Sequence, residues 1–235
     1  EMVIHSKYQT AIFEAIRDTK DNIIIEAKAG AGKTYTIISA LEYIPSTQKV
    51  LFVCFNKSIQ EELAKRIPAH VTASTLNSLG WGICMKVNRA NNIRFTKLEP
   101  KKTQMVLRFE TLKVQKGNDK ENAYYFSILA PIVKLVSLAK AHLVLKADRK
   151  AFEDLADKYS VNLDKVGELN MFYAHLCSCY TTCINQYWCM DFDDQIFMPI
   201  KNNWNIPCYD VVMVDESQDL NPVQIELVMR SAGIS

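Results

Sequence analysis

The sequence predicts an α/β fold in which a parallel sheet, built from both ends of the chain, is interrupted by an all-helical insertion. Three observations predict it. Short apolar runs alternate with helix-length patterns over residues 1 to about 85, the signature of a parallel sheet covered on both faces. From about 86 to 188 only helix-length patterns remain. A last apolar run, Val211 to Val214, ends in acids and resumes the alternation.

The elements follow in order. Ser6-Lys7-Tyr8-Gln9 opens a helix whose apolar positions include Tyr8, Ile12, Ala15 and Ile16. Strands are expected at "NIIIEA" (22–27), "KVLFVC" (49–54) and "HVTAS" (70–74). Between the first two, Ile37, Ile38, Leu41 and Ile44 share one helical face. In the middle section, "EPKKTQMVLRFETLKV" and "AFEDLADKY" read as helices. These patterns divide the chain into an α/β domain (1–86 and 189–235) and a helical insertion subdomain (87–188).

Composition sets the outer bounds. With 235 residues, about half of them hydrophobic and about a quarter charged, the chain is ordinary for a globular protein. A net charge of +2 identifies no partner, so nucleic-acid binding would need a local patch. The N-terminus lacks the basic-then-apolar layout of a signal peptide. The most apolar stretch is broken by Pro131, Lys134 and Lys140, which suits a buried helix better than a membrane span. Seven cysteines, an odd number, point to reduced thiols. The expectation is a soluble intracellular protein, cytoplasmic or, in a eukaryote, nuclear.

The segment "IEAKAGAGKT" (25–34) fits strand, loop and helix start. Gly30 and Gly32, with Ala29 and Ala31 beside them, allow backbone N–H groups to approach anionic oxygens. The helix N-terminus adds partial positive charge. Lys33 can reach β and γ phosphates, and the Thr34 hydroxyl is placed to ligate Mg²⁺. Ala27 stands at the first glycine position of G-x-x-x-x-G-K-[ST], where the strand ends and only smallness is required. Asp215 and Glu216 follow the last apolar run. Asp215 would hold the metal shell, and Glu216 would orient or deprotonate an attacking water. ATP and Mg²⁺ are the cofactors this pairing implies.

"VVMVDESQDLNPVQ" and "AKAGAGKT" together resemble motifs II and I of superfamily 1 DNA helicases of the UvrD/Rep type, superfamily 1A. "SKYQTAIFEAI" is similar to the Q motif, "LFVCFNKSIQEEL" to motif Ia, and "TASTLNSLGW" to the next DNA-contacting motif. "DFDDQI" resembles the segment that returns the chain to the first motor domain, which in this family is RecA-like. The resemblance implies an ATP-dependent helicase or translocase moving 3′→5′ on single-stranded DNA toward duplex junctions, in repair or replication. It implies that Gln9 reads adenine, that Tyr35 lies in the nucleotide site, and that Gln218 senses the γ-phosphate. It also implies DNA contacts at Phe55, Asn56, Lys57, Thr75, Asn77 and Trp81. The family usually has histidine where Asn77 stands, and arginine is common at Tyr35. Its later motifs belong to a second motor domain, expected in a longer protein, without which this chain should hydrolyse little ATP.

Each role has a plainer alternative. Ser6-x-x-Gln9 is also a capping box. Gln218 and Asp219 could simply begin a helix, with Asn221-Pro222 supporting its start. Phe55 or Trp81 could be core rather than a stacking platform. Lys86, Arg89, Arg94, Lys97, Lys101 and Lys102 form a basic run that is either a solvated face or a grip on duplex phosphates. His175, Cys179 and Cys183, four apart, lack paired C-x-x-C spacing, so buried thiols are favoured over metal ligands. Asp191, Asp193 and Asp194 are read as the first turn of a helix rather than a two-metal nuclease. A catalytically silent DNA-binding module is disfavoured by intact Lys33, Thr34, Asp215 and Glu216. A non-translocating nucleotide switch is disfavoured by the additional motifs.

Overall fold

A computed structural model of the chain describes residues 5–25, 33–93, 97–114 and 117–234, apart from the side chains at 33, 34 and 62. In chain order its elements are α1 (Lys7–Asp18), α2 (Lys33–Ala40), β1 (Val50–Val53), α3 (Lys57–Leu63), β2 (Val71–Ser74) and α4 (Leu76–Ala90). There follow β3 (Lys97–Leu98), α5 (Lys102–Met105), α6 (Asp119–Ala141), α7 (Arg149–Lys158) and α8 (Leu169–Asn185). The chain closes with β4 (Cys189–Met190), α9 (Phe192–Lys201), β5 (Val211–Val214) and α10 (Pro222–Ser231). It divides into two compact units, one of residues 1–75, 207–218 and 231–235, the other of residues 76–206 and 219–230.

The first unit is built on a parallel sheet in the order β2-β1-β5. All four residues of β1 are buried, as a central parallel strand with both faces covered requires. Leu41, Ile44, Val50, Phe52, Cys54, Leu63 and Val71 form the core, with Ile37 and Ile38 of α2 packed against it. The apolar face foreseen for that helix therefore faces the sheet. In α1 the outcome is mixed: Phe13 is buried, whereas Tyr8 is exposed.

One expected strand is not formed. Residues 22–25 join no ladder and Ile24 is 87% exposed; residues 26–27 lie outside the described residues. High β propensity does not itself make a strand, because the stabilisation comes from cross-strand neighbours and burial. Among the described residues β5 pairs with β1 alone, and all four of its residues are only half-buried.

The second unit is mainly helical. Its apolar helix α6 buries Tyr125, Ile128, Ile132, Leu135, Val136 and Ala139. That helix is long and apolar enough to cross a membrane by length and composition, yet this face packs within the protein. The segment after α5 continues as a π-helix over Val106–Thr111. Residues 86–188 are not wholly without strand: β3 pairs over two residues with β4, which lies just beyond that stretch, a ladder too short to leave a periodic signal.

A group of buried charges ties this unit together. Lys102 Nζ lies 2.6 Å from Asp194 Oδ2, and Lys140 Nζ lies 2.7 Å from Asp191 Oδ2 and 2.9 Å from Asp194 Oδ1. Lys102, Lys140 and Asp194 are at most 1% exposed. Burial works against the Lys140 ammonium, but Asp194 and Asp191 outweigh it and raise its pKa. Burial alone would raise the Asp191 carboxyl, and Lys140 overcomes that to hold it lowered.

Candidate functional site

The parallel register brings the ends of three strands into one row. Val53 of β1 is level with Ser74 of β2 and with Val214 of β5. The residues that follow each strand therefore emerge from one edge of the sheet: Phe55 and Asn56, Thr75, and Asp215 with Glu216. Open α/β sheets place ligands at this carboxyl edge.

At the end of β5, Asp215 Oδ1 accepts the backbone N–H of Glu216 at 3.0 Å. Glu216 has φ 53°, in the left-handed region, which costs a non-glycine residue about 1–2 kcal/mol. The Gln218 amide donates to Glu216 Oε2, joining two residues assigned roles in hydrolysis. Burial pushes the nearby Cys54 thiol up to about 11, and the charge of Asp215 adds to the effect.

Gln9 forms the capping box in full. Its Oε1 accepts from Ser6 N at 2.9 Å, its own N–H donates to Ser6 Oγ, and Nε2 donates to Thr36 Oγ1 at 3.2 Å. The box orients the side chain, and Thr36 ties it to α2. Ala29, Gly30, Ala31 and Gly32 lie outside the described residues, as do the side chains of Lys33 and Thr34. The backbone of Lys33 and Thr34 begins α2, and Tyr35 is 49% exposed.

Among the described residues, one donor suited to a Mg²⁺–triphosphate is in place. Mg²⁺ is ordinarily held through one or two carboxylates, phosphate oxygens and water, and Asp215 supplies a half-buried carboxylate at the strand end. Among the described residues no group of three acidic, histidine or cysteine side chains could form an all-protein cage.

Phe55 is 68% exposed, so it is a free ring rather than core. Asn56 accepts from Ile59 N and starts α3, whose first residue, Lys57, is exposed beside Glu61. Thr75 is half-buried.

In the second unit Trp81 is half-buried on α4. The Asn77 amide donates to Phe192 O at 2.9 Å and to Gln195 Oε1 at 2.8 Å. Those bonds require close approach of α4 to α9. Gly80 provides it, because a Cβ there would lie 2.0 Å from Gln195 O. Gln195 and the exposed Phe192 were not anticipated as site residues. Their helix position beside "DFDD" was visible, but the partner helix they would meet was not.

One expectation needs correction and one is sharpened. Lys102 is no phosphate grip, since it is buried against Asp194. Arg94 lies outside the described residues; Lys86, Arg89, Lys97 and Lys101 are exposed members of the basic run, Lys97 pairing with Glu99 at 2.8 Å. Asp191 and Asp194 do form a capping box at the start of α9, but they also bind the two buried lysines. On α8, His175 meets the Tyr124 hydroxyl at 3.0 Å. Cys179 and Cys183 are buried against Thr103. Asn221 and Gln224 cap α10, with Pro222 at its first position.

Comparison with known proteins identifies the family. "F-box DNA helicase protein 1" of Schizosaccharomyces pombe is 23% identical over 235 residues, covering 94% of this chain. The chain spans about a quarter (26%) of that relative's length. The sequence profile of the UvrD/REP helicase N-terminal domain matches residues 8–233. With a parallel α/β sheet beneath the motifs and a match over nearly its whole length, the chain belongs to the UvrD/REP helicase N-terminal domain family, a family of DNA helicases.

Proposed function

We propose that this chain is the first motor domain of an ATP-driven helicase or translocase that moves 3′→5′ on single-stranded DNA. The observation that carries the reading is the shared row of strand ends, from which Asp215, Glu216, Phe55, Asn56 and Thr75 leave one sheet edge. A hydrolytic site and a strand-contacting surface on the same rigid edge are what coupling requires.

In this reading Ala29, Gly30, Ala31, Gly32 and Tyr35 surround the phosphates, and Lys33 neutralises their developing charge. Gln9, held by its cap, faces adenine with its remaining amide proton. Thr34 and Asp215 would hold Mg²⁺, which supplies charge neutralisation between phosphate oxygens. Glu216 positions the attacking water and accepts its proton, and Gln218 reports the state of the γ-phosphate through its bond to Glu216. Phe55, Asn56, Lys57, Thr75, Asn77 and Trp81 contact the strand, the rings by stacking worth about 1–3 kcal/mol per base. Residues 87–188 act as the helical insertion, and a second motor domain completes the catalytic site.

The test is ATP hydrolysis by the full-length protein with and without single-stranded DNA. Stimulation by DNA, abolished by Lys33→Ala and by Asp215→Asn, is the expected result. An unstimulated ATPase would overturn the motor reading, and full activity in Lys33→Ala would overturn the site. Polarity is read from strand displacement on substrates tailed at either end.

A further inference from the structure

The hydrogen bonds of Asn77 limit what it can offer a DNA strand. Its Nδ2 carries two protons, and two acceptors of α9 take them: Phe192 O at 2.9 Å and Gln195 Oε1 at 2.8 Å. The amide orientation is forced by chemistry. A backbone carbonyl only accepts, so Phe192 O requires Nδ2, not Oδ1, on that side. The Gln195 side chain is 6% exposed and must then also present its oxygen.

The rest of α9 holds both acceptors still. Asp191 and Asp194 cap its first turn and are anchored by Lys140 and Lys102. Gly80 lets α4 approach the Gln195 backbone. A cavity of about 120 Å³ borders Asn77, Phe192, Asp193, Ile196, Asn221 and Gln224, so the asparagine adjoins open space. What remains of Asn77 for an outside partner is the acceptor Oδ1.

Phosphate diesters carry no proton to donate, and deoxyribose lacks the 2′-hydroxyl. Within a DNA strand the hydrogen-bond donors are the N–H groups of the bases. Resting on the reading that Asn77 lies on the DNA track, we infer that Asn77 contacts a base edge through Oδ1, not the phosphate backbone. Gln195 is the positioning residue that enforces this choice. The contact is base-dependent in a motor whose other strand contacts, stacking and charge, tolerate any sequence.

Fluorescence anisotropy of the full-length protein tests this with two probes: a mixed-sequence single strand, and an abasic deoxyribose-phosphate strand of equal length. One lost hydrogen bond corresponds to about a fivefold loss of affinity. Asn77→Ala should show that loss on the mixed strand and none on the abasic one, with the salt dependence unchanged. Gln195→Met, which removes the acceptor at similar volume, should lower affinity in part and again only for the base-bearing strand. A merely structural defect in Gln195→Met would weaken both strands alike, and that result would overturn its positioning role. Equal losses on both strands in Asn77→Ala would overturn the base-edge inference while leaving Asn77 on the track. Unchanged binding of both strands would remove Asn77 from the track altogether.

Discussion

Replacing Gly80 by alanine should destabilise the helical unit, although alanine is the better helix former. The added Cβ would stand 2.0 Å from Gln195 O and 2.8 Å from Gln195 C, against about 3.4 Å for ordinary contact. The helices would have to part by about 1.4 Å, because a backbone carbonyl cannot rotate aside as a side chain can. Helix propensity returns about 1 kcal/mol. Overpacking costs about 1–3 kcal/mol, and the two Asn77 bonds to α9 are worth about 1 kcal/mol each. The net loss is about 2–4 kcal/mol, a fall in Tm of several degrees or more at about 2–4 °C per kcal/mol for a chain of this size. Gly82, two residues along the same helix, is the internal control. Nothing lies within 4 Å of a Cβ built there, so Gly82→Ala should be neutral or stabilising by up to about 1 kcal/mol. Thermal unfolding of both variants by circular dichroism decides the matter. Equal stability of Gly80→Ala and Gly82→Ala would refute the close approach of α4 and α9.

Lys140→Met should cost about 3–5 kcal/mol, because it leaves Asp191 and Asp194 buried with one cation between them; urea unfolding measures it. The same cluster gives a pH dependence of known sign. Asp191 has a folded pKa below its unfolded value of about 3.9, so its contribution is present above that pH and lost as pH falls through the depressed value. The raised Lys140 contributes fully below its unfolded pKa of about 10.4, and that part is lost only as pH rises through the folded value. The cluster's contribution to unfolding free energy should therefore be level through neutrality and fall at the acid end, and Asp191→Asn should flatten that fall. Ser6→Ala should remove about 1 kcal/mol by opening the capping box. It removes only the Oγ that accepts the Gln9 backbone N–H; the backbone N–H of residue 6 still donates to Gln9 Oε1, so ATP affinity in the full-length protein, read by nucleotide titration, should change little.

The strands that proved legible were those whose apolar runs found a partner strand. "VLFV" at 50–53 is continuously apolar because a parallel strand covered on both faces must be, and "VVMV" at 211–214, only half-buried, pairs beside it. "NIII" at 22–25 carries the same signal without the ladder, so composition there described a capacity rather than an outcome. Ser6 and Gln9 announced their capping box because both partners lie within one turn. Asn77 did not announce Gln195, nor Lys102 Asp194, since the partners are separated by more than ninety residues and meet only after the helices pack. Lys102 is the instructive failure. Among five other basic residues it looked solvated, yet the fold buries it against Asp194. Charge in sequence gives the sign of a group and not the side of the surface on which it ends.

The left-handed backbone at Glu216 has an evolutionary consequence. A glycine or asparagine would occupy φ 53° with less strain, so stability and the proposed water-positioning carboxylate pull this position in opposite directions. Any laboratory selection on thermal tolerance alone should accumulate Glu216→Gly or Glu216→Asn. The survivors would be sturdier proteins that hold nucleotide and no longer turn it over, and their emergence would identify residue 216 as a site kept by work done rather than by folding.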